Sequence, residues 1–98
     1  MNVAVSFHEL AESELNEAAD YYESHVTGLG LAFITEVERS INLIRQNPAS
    51  FPPILKVVRC KTLRRFPYSL IYSFVDDSIR ILAIANQKRR PLYWRSRK

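Results

Sequence analysis

Glycine is nearly absent from this chain: Gly28 and Gly30 are the only two in 98 residues. A loop that cradles phosphate with successive glycine amides is therefore excluded. Cysteine is scarcer still. Cys60 stands alone, which rules out an intrachain disulfide, and with His8 and His25 far from it in sequence it matches none of the usual metal-ligand spacings. A lone thiol in a strand-like run reads as a buried structural group in a reducing compartment, and neither metal nor other cofactor is expected. Long apolar runs are missing too. The longest, Ile81 to Ala85, falls far short of the roughly 20 residues that span a bilayer. The start of the chain also lacks a basic region followed by an apolar stretch. The expectation is a soluble, cytoplasmic protein with no membrane partner.

Each half of the chain nearly lacks charge of one sign. Up to Leu55 the only basic residues are Arg39 and Arg45, against eight acids; from Lys56 onward twelve Lys or Arg face only Asp76 and Asp77. The formal net charge of +4 conceals this division. A basic half with interleaved aromatics points to a polyanion or an acidic protein partner rather than a small neutral substrate.

The length suits one domain, 1–98, which should bury roughly two-thirds of the surface exposed by the unfolded chain. Val3, Val5 and Phe7 alternate with polar or small residues, giving a strand within 1–7. Ser6 and Glu9 have the spacing of a capping box and predict a helix start. Ala11, Leu15, Ala18, Ala19 and Tyr22 then form an apolar stripe, with Glu9, Glu12, Glu17, Asp20 and Glu23 mainly off it. The Gly28 and Gly30 region reverses the chain, and Phe33, Ile34, Val37, Ile41 and Ile44 recur at helical spacing until Asn47-Pro48 stops the second helix. Residues 8–46 thus predict a helical hairpin, and Pro48 to Pro53 a loop.

From Val57 the period changes to two. Arg59, Lys61 and Arg65 share one parity, while Val58, Cys60 and Thr62 share the other, expected to face the core. Phe66, Tyr68, Leu70, Tyr72 and Phe74 read as the wall that receives the helices. Asp76-Asp77 marks a turn, and Ser78 to Asn86 reads as a central strand with Arg80 and Asn86 on one face. The fold class is therefore α+β: a strand, a helical hairpin, then an antiparallel meander of three strands over 57–86, with the helices on one sheet face and a basic aromatic tail over 87–98. A parallel pairing of the first strand would make the sheet mixed.

The candidate binding surface is Arg59, Lys61, Arg65 and Arg80 with Lys88, Arg89 and Arg90 of the tail, since guanidinium groups bind phosphate bidentately. Tyr93 and Trp94 can stack on bases or clip the tail to the core, and clipping is the simpler account of Trp94. A general base is hard to find, because both histidines and eight of the ten carboxylates belong to the first half. Ser69 and Ser73 have no histidine in their half and read as small polar packing.

The run Leu63-Arg64-Arg65-Phe66-Pro67-Tyr68-Ser69-Leu70-Ile71-Tyr72, the Asp-Asp turn, and Ile81 through Trp94 together resemble the RelE/ParE toxin superfamily of bacterial type II toxin–antitoxin modules. Glu14-Leu15, Glu17-Ala18-Ala19, Tyr21-Tyr22-Glu23, Gly28-Leu29-Gly30, Phe33 and Asn47-Pro48 extend the resemblance over nearly the whole chain. It implies a growth-inhibiting toxin neutralised by a cognate antitoxin that wraps a segment over it. RelE-like members cleave mRNA on the ribosome, whereas ParE-like members poison DNA gyrase without known catalysis. In the nuclease branch Arg65 would bind phosphate and Tyr93 would serve as acid or base, with Lys61 and Arg59 supporting the phosphate. Asn86 departs from that branch, where relatives with this ending usually carry His; an amide cannot exchange a proton near neutral pH. Both branches stay open at this point, as does a nontoxic nucleic-acid-binding or protein-interaction module.

Overall fold

The structure, a computed structural model, describes residues 3–98; Met1 and Asn2, at the head of the expected first strand, lie outside the described residues. β1 (Ala4–Phe7) leads into α1 (Glu9–His25) and α2 (Leu29–Gln46), followed by β2 (Pro53–Leu55), β3 (Val58–Thr62), β4 (Tyr68–Val75) and β5 (Ser78–Asn86). One mixed sheet runs in the order β1-β5-β4-β3-β2, with β1 parallel to β5 and the other neighbours antiparallel. The α+β class is as expected, but β2 adds a strand ahead of the meander. Its prolines explain why the segment reads as a loop: Pro53 occupies an edge strand, where a missing N–H is tolerated.

The helical hairpin is joined tightly. Gly28 caps α2 in a left-handed conformation (φ 89°) that glycine adopts without steric penalty. A Cβ on Gly30 would lie 2.5 Å from the Ala19 carbonyl oxygen. Glu23 completes the joint by accepting from the Gly28 and Gly30 N–H groups at 2.9 and 3.0 Å. These are among the donors that a helix start leaves without an intrahelical partner. The start of α1 departs from the expected capping box. His8 is the N-cap, its Nδ1 accepting from the Leu10 N–H, because β1 runs on through Phe7 and holds Ser6 opposite Arg80.

Two apolar clusters sandwich the sheet. On the helical side Ala11, Ala18, Phe33, Val37 and Ile44 meet Leu70, Tyr72, Ile79, Ile81 and Ile84. The Tyr68, Leu70, Tyr72 and Phe74 parity does form the wall under the helices. On the opposite side Ile71, Leu82 and Ala83 are covered by Trp94, with Val58, Cys60 and Tyr93 packed around them.

Two expectations about strand faces are corrected. Along β4 and β5 the register shifts: Ile71 pairs with Ala83 but Tyr72 with Ile81, so Leu82 is an extra residue in a bulge. Parity inverts there. Asn86 pairs with Tyr68 on the helical side, while Arg80 pairs with Ser73 on the other, so the two do not share a face. Along β3, Arg59 and Lys61 pair with Tyr72 and Leu70 and so lie on the helical side, whereas Val58 and Cys60 face the Trp94 cluster. Alternation divides a strand into two sets without saying which set meets the helices. Arg65 belongs to neither set, since it lies in the turn between β3 and β4.

Candidate functional site

After β5 the chain turns sharply and crosses back under the sheet. The turn is held by three hydrogen bonds: Gln87 N–H to the Pro67 carbonyl at 2.9 Å, Arg89 N–H to the Asn86 carbonyl at 2.9 Å, and Lys88 N–H to Asn86 Oδ1 at 2.9 Å. The Asn86 side chain is thus committed to shaping the turn, with its Nδ2 left to donate. Lys88, Arg89 and Arg90 project from this turn and are exposed. Arg89 is held over the Tyr93 ring at 4.0 Å.

Glu14 organises the polar contacts along the open edge of β5. β1 ends at Phe7, opposite Ile81, so β5 continues beyond its neighbour and leaves backbone groups unpaired on that edge. Glu14 Oε1 accepts the Ile84 N–H at 3.0 Å, and Arg97 Nη1 donates to the Leu82 carbonyl at 3.0 Å. The two side chains do for this edge what another strand would do. They also form a bidentate pair, with N–O distances of 2.8 and 3.0 Å and side chains only 10% (Arg97) and 15% (Glu14) exposed. The Tyr93 hydroxyl donates to Glu14 Oε2 at 2.8 Å. Burial, this hydrogen bond and the Glu14 charge raise the Tyr93 hydroxyl well above its ordinary value, against lesser opposition from Arg97 and Arg89. Tyr93 therefore keeps its proton throughout the neutral range.

Three of the cations singled out from sequence are tied to structure. Arg59 Nη1 donates to the Phe51 carbonyl at 2.7 Å, and the Lys61 ammonium sits 5.5 Å from the Phe51 ring centre. Arg80 donates to the Lys98 carbonyl at 2.9 Å and to Ser6 Oγ at 3.1 Å. Arg65 is exposed, its N–H donating to Glu36 at 3.2 Å, in a depression on α2 that also holds Arg39 and Thr35. Tyr93 lines a different depression, which shares no residue with that of Arg65. The structure thus brings together Asn86, Lys88, Arg89 and Tyr93, and leaves Arg59, Lys61, Arg65 and Arg80 elsewhere.

Beside the turn lies a cleft of about 610 Å³. One wall is α1 and the head of β4, presenting Tyr21, Tyr22 and Tyr68; the other is Asn86, Lys88 and Arg89. Tyr22 meets Tyr21 edge-on at 5.4 Å and Tyr68 at 6.3 Å. Sequence reasoning missed both the cleft and the Glu14–Arg97 pair. A signal for Glu14 was present: it sits between Ala11 and Ala18 on the helical stripe, where a charge needs a partner. Among the described residues no group of three or more His, Cys, Asp or Glu is arranged for a metal ion, and no helix is long and apolar enough to cross a membrane.

The geometry has relatives. A family model described as the ParE toxin of type II toxin-antitoxin system, parDE, matches residues 5–91. Among solved structures, a chain from the chromosomal ParDE TA system of P. aeruginosa is similar in fold. It has a TM-score of 0.72 over 86% of this chain and 95% of that chain, at 22% identity. No curated protein matches the sequence. The match begins inside β1 and runs past β5 into the basic turn, so it takes in the helical hairpin, the sheet from Val5 onward and the cleft. The chain belongs to the ParE toxin family of type II toxin–antitoxin systems.

Proposed function

We propose that this toxin inhibits growth by acting on DNA gyrase without catalysis, and that a cognate antitoxin neutralises it. The observation that carries this reading is the match to ParE toxins from residue 5 to residue 91. The chemistry of the site favours the same branch. RNA cleavage needs a group that takes a proton from the attacking hydroxyl and another that returns one to the leaving oxygen. Tyr93 holds its proton and spends its hydroxyl on Glu14, Glu14 is consumed by Arg97, and the Asn86 amide neither gives up nor takes a proton near neutral pH. What remains exposed at the turn, Lys88, Arg89 and Arg90, is suited to binding.

The test uses the purified full chain in two cell-free reactions. Added to gyrase with relaxed plasmid, it should abolish supercoiling and accumulate protein-linked DNA breaks; added to a purified translation system, it should leave the message intact. Normal supercoiling together with cut message would assign the nuclease branch instead. The antitoxin half of the reading predicts that an acidic partner, mixed in equal amount, restores supercoiling.

A further inference from the structure

The cleft beside the turn combines three features. Its wall of α1 and β4 is aromatic, with Tyr21 57% exposed and Tyr22 and Tyr68 behind it, and α1 also places Glu14 and Glu17 there. Its far wall carries two adjacent cations, Lys88 and Arg89, and the second is pre-positioned by stacking on Tyr93. Between them Asn86 has its oxygen fixed by the Lys88 N–H, which leaves the Nδ2 hydrogens as donors. The charge balance narrows the ligand. Glu14 lines the cleft but is neutralised by Arg97, so only Glu17 opposes the two cations. A cationic guest is disfavoured, and a purely apolar one would leave the cations facing an unpaired surface. The volume, about 610 Å³, falls within the roughly 300–1,000 Å³ of small-molecule sites.

We propose that this cleft binds a nucleoside phosphate, its base laid on the tyrosine wall within reach of the Asn86 amide and its phosphate held by Lys88 and Arg89. An aromatic ring stacks on any base face, and paired cations suit a dianion. The same chemistry is offered by a free nucleotide and by one nucleotide of a single strand. The proposal does not depend on gyrase as the target.

The test follows backbone amide signals of the isotopically labelled full chain during titration with AMP, adenosine, inorganic phosphate and a short single-stranded oligonucleotide. AMP should shift the signals of Tyr21, Tyr68, Asn86 and Lys88 and should bind at least tenfold more tightly than adenosine or phosphate alone. Tyr21→Ala should weaken AMP about tenfold and adenosine by a similar factor. Lys88→Ala should weaken AMP about tenfold and leave adenosine unchanged. Both side chains are exposed, so the fold should tolerate either change. Arg95→Ala, which removes an exposed cation outside the cleft, should leave AMP affinity within twofold. Binding of the oligonucleotide at these residues with AMP silent would keep the site and assign it to a strand. Silence of both at these residues, or equal weakening by Lys88→Ala and Arg95→Ala, would overturn the proposal. Supercoiling assays on the same variants keep the two readings apart, since gyrase inhibition can fail while AMP binding persists.

Discussion

Glu14 is the residue on which most of the polar structure converges. Its carboxylate receives the Ile84 N–H, the Tyr93 hydroxyl and both terminal nitrogens of Arg97. Removing it leaves the Ile84 N–H without its acceptor and a largely buried guanidinium with the Leu82 carbonyl but no countercharge. Breaking a buried pair by deleting one partner typically costs about 3–5 kcal/mol, and Glu14→Ala should lower stability by an amount of that order in urea unfolding. Tyr93→Phe is milder, since Arg97 still satisfies the carboxylate, and should cost about 1 kcal/mol near pH 7. Its effect depends on pH in a direction fixed by the raised Tyr93 hydroxyl. A group whose folded value lies above the unfolded one contributes stability in full below its unfolded value, ordinarily 10.0 for tyrosine, and loses it as pH climbs toward the folded value. The native chain should therefore lose stability above about pH 10 faster than Tyr93→Phe, and the gap between them should close; a gap that widens would contradict the assignment.

At the scale of elements, the joint between the helices is the least forgiving contact. In Gly30→Ala the new methyl would press on a backbone oxygen of α1, 2.5 Å from the ideal Cβ position, and backbone cannot turn aside as a side chain can. Overpacking of this kind costs roughly 1–3 kcal/mol, read as a lowered Tm with secondary structure retained. The same elements show what a sequence reveals of a fold. Both helices, the stop at Asn47-Pro48 and the Asp76-Asp77 turn were legible because each rests on local chemistry: periodicity, proline, and two residues that tolerate the left-handed conformation (φ 50° and 59°). The faces of β3 and the end of β5 were not legible. The Leu82 bulge depends on what Ile71 and Tyr72 pair with across the sheet, and β3 takes its orientation from the neighbours that surround it. The basic turn could be located from sequence, but the tyrosine wall opposite it comes from α1 and β4 and becomes a cleft only in three dimensions.

Over the whole molecule, the division of charge survives folding in altered form. Acids on the outer side of α1 and cations on the turn after β5 remain exposed, while Arg59, Arg80 and Arg97 are spent on internal carbonyls and Glu14. Charges so exposed govern the rate of encounter with an oppositely charged partner more than the strength of the final complex. Replacing Arg90 and Arg95 together by alanine should slow antitoxin association by about tenfold at low salt, with the difference fading as ionic strength rises toward about 1 M; a change confined to dissociation would argue against steering. The edge of β5 carries a consequence of another kind. Glu14 and Ile84, brought together there, are separated by most of the chain, and Arg97 lies further on still. The parallel pairing of β1 with β5 likewise waits for late residues, and contacts of such long sequence separation form slowly. Glu14 can accept the Ile84 N–H by itself, whereas the Leu82 carbonyl takes its donor from Arg97. Loss of the Arg97 side chain would uncover the Leu82 carbonyl, and an edge group so exposed is one that a strand of another copy can pair with.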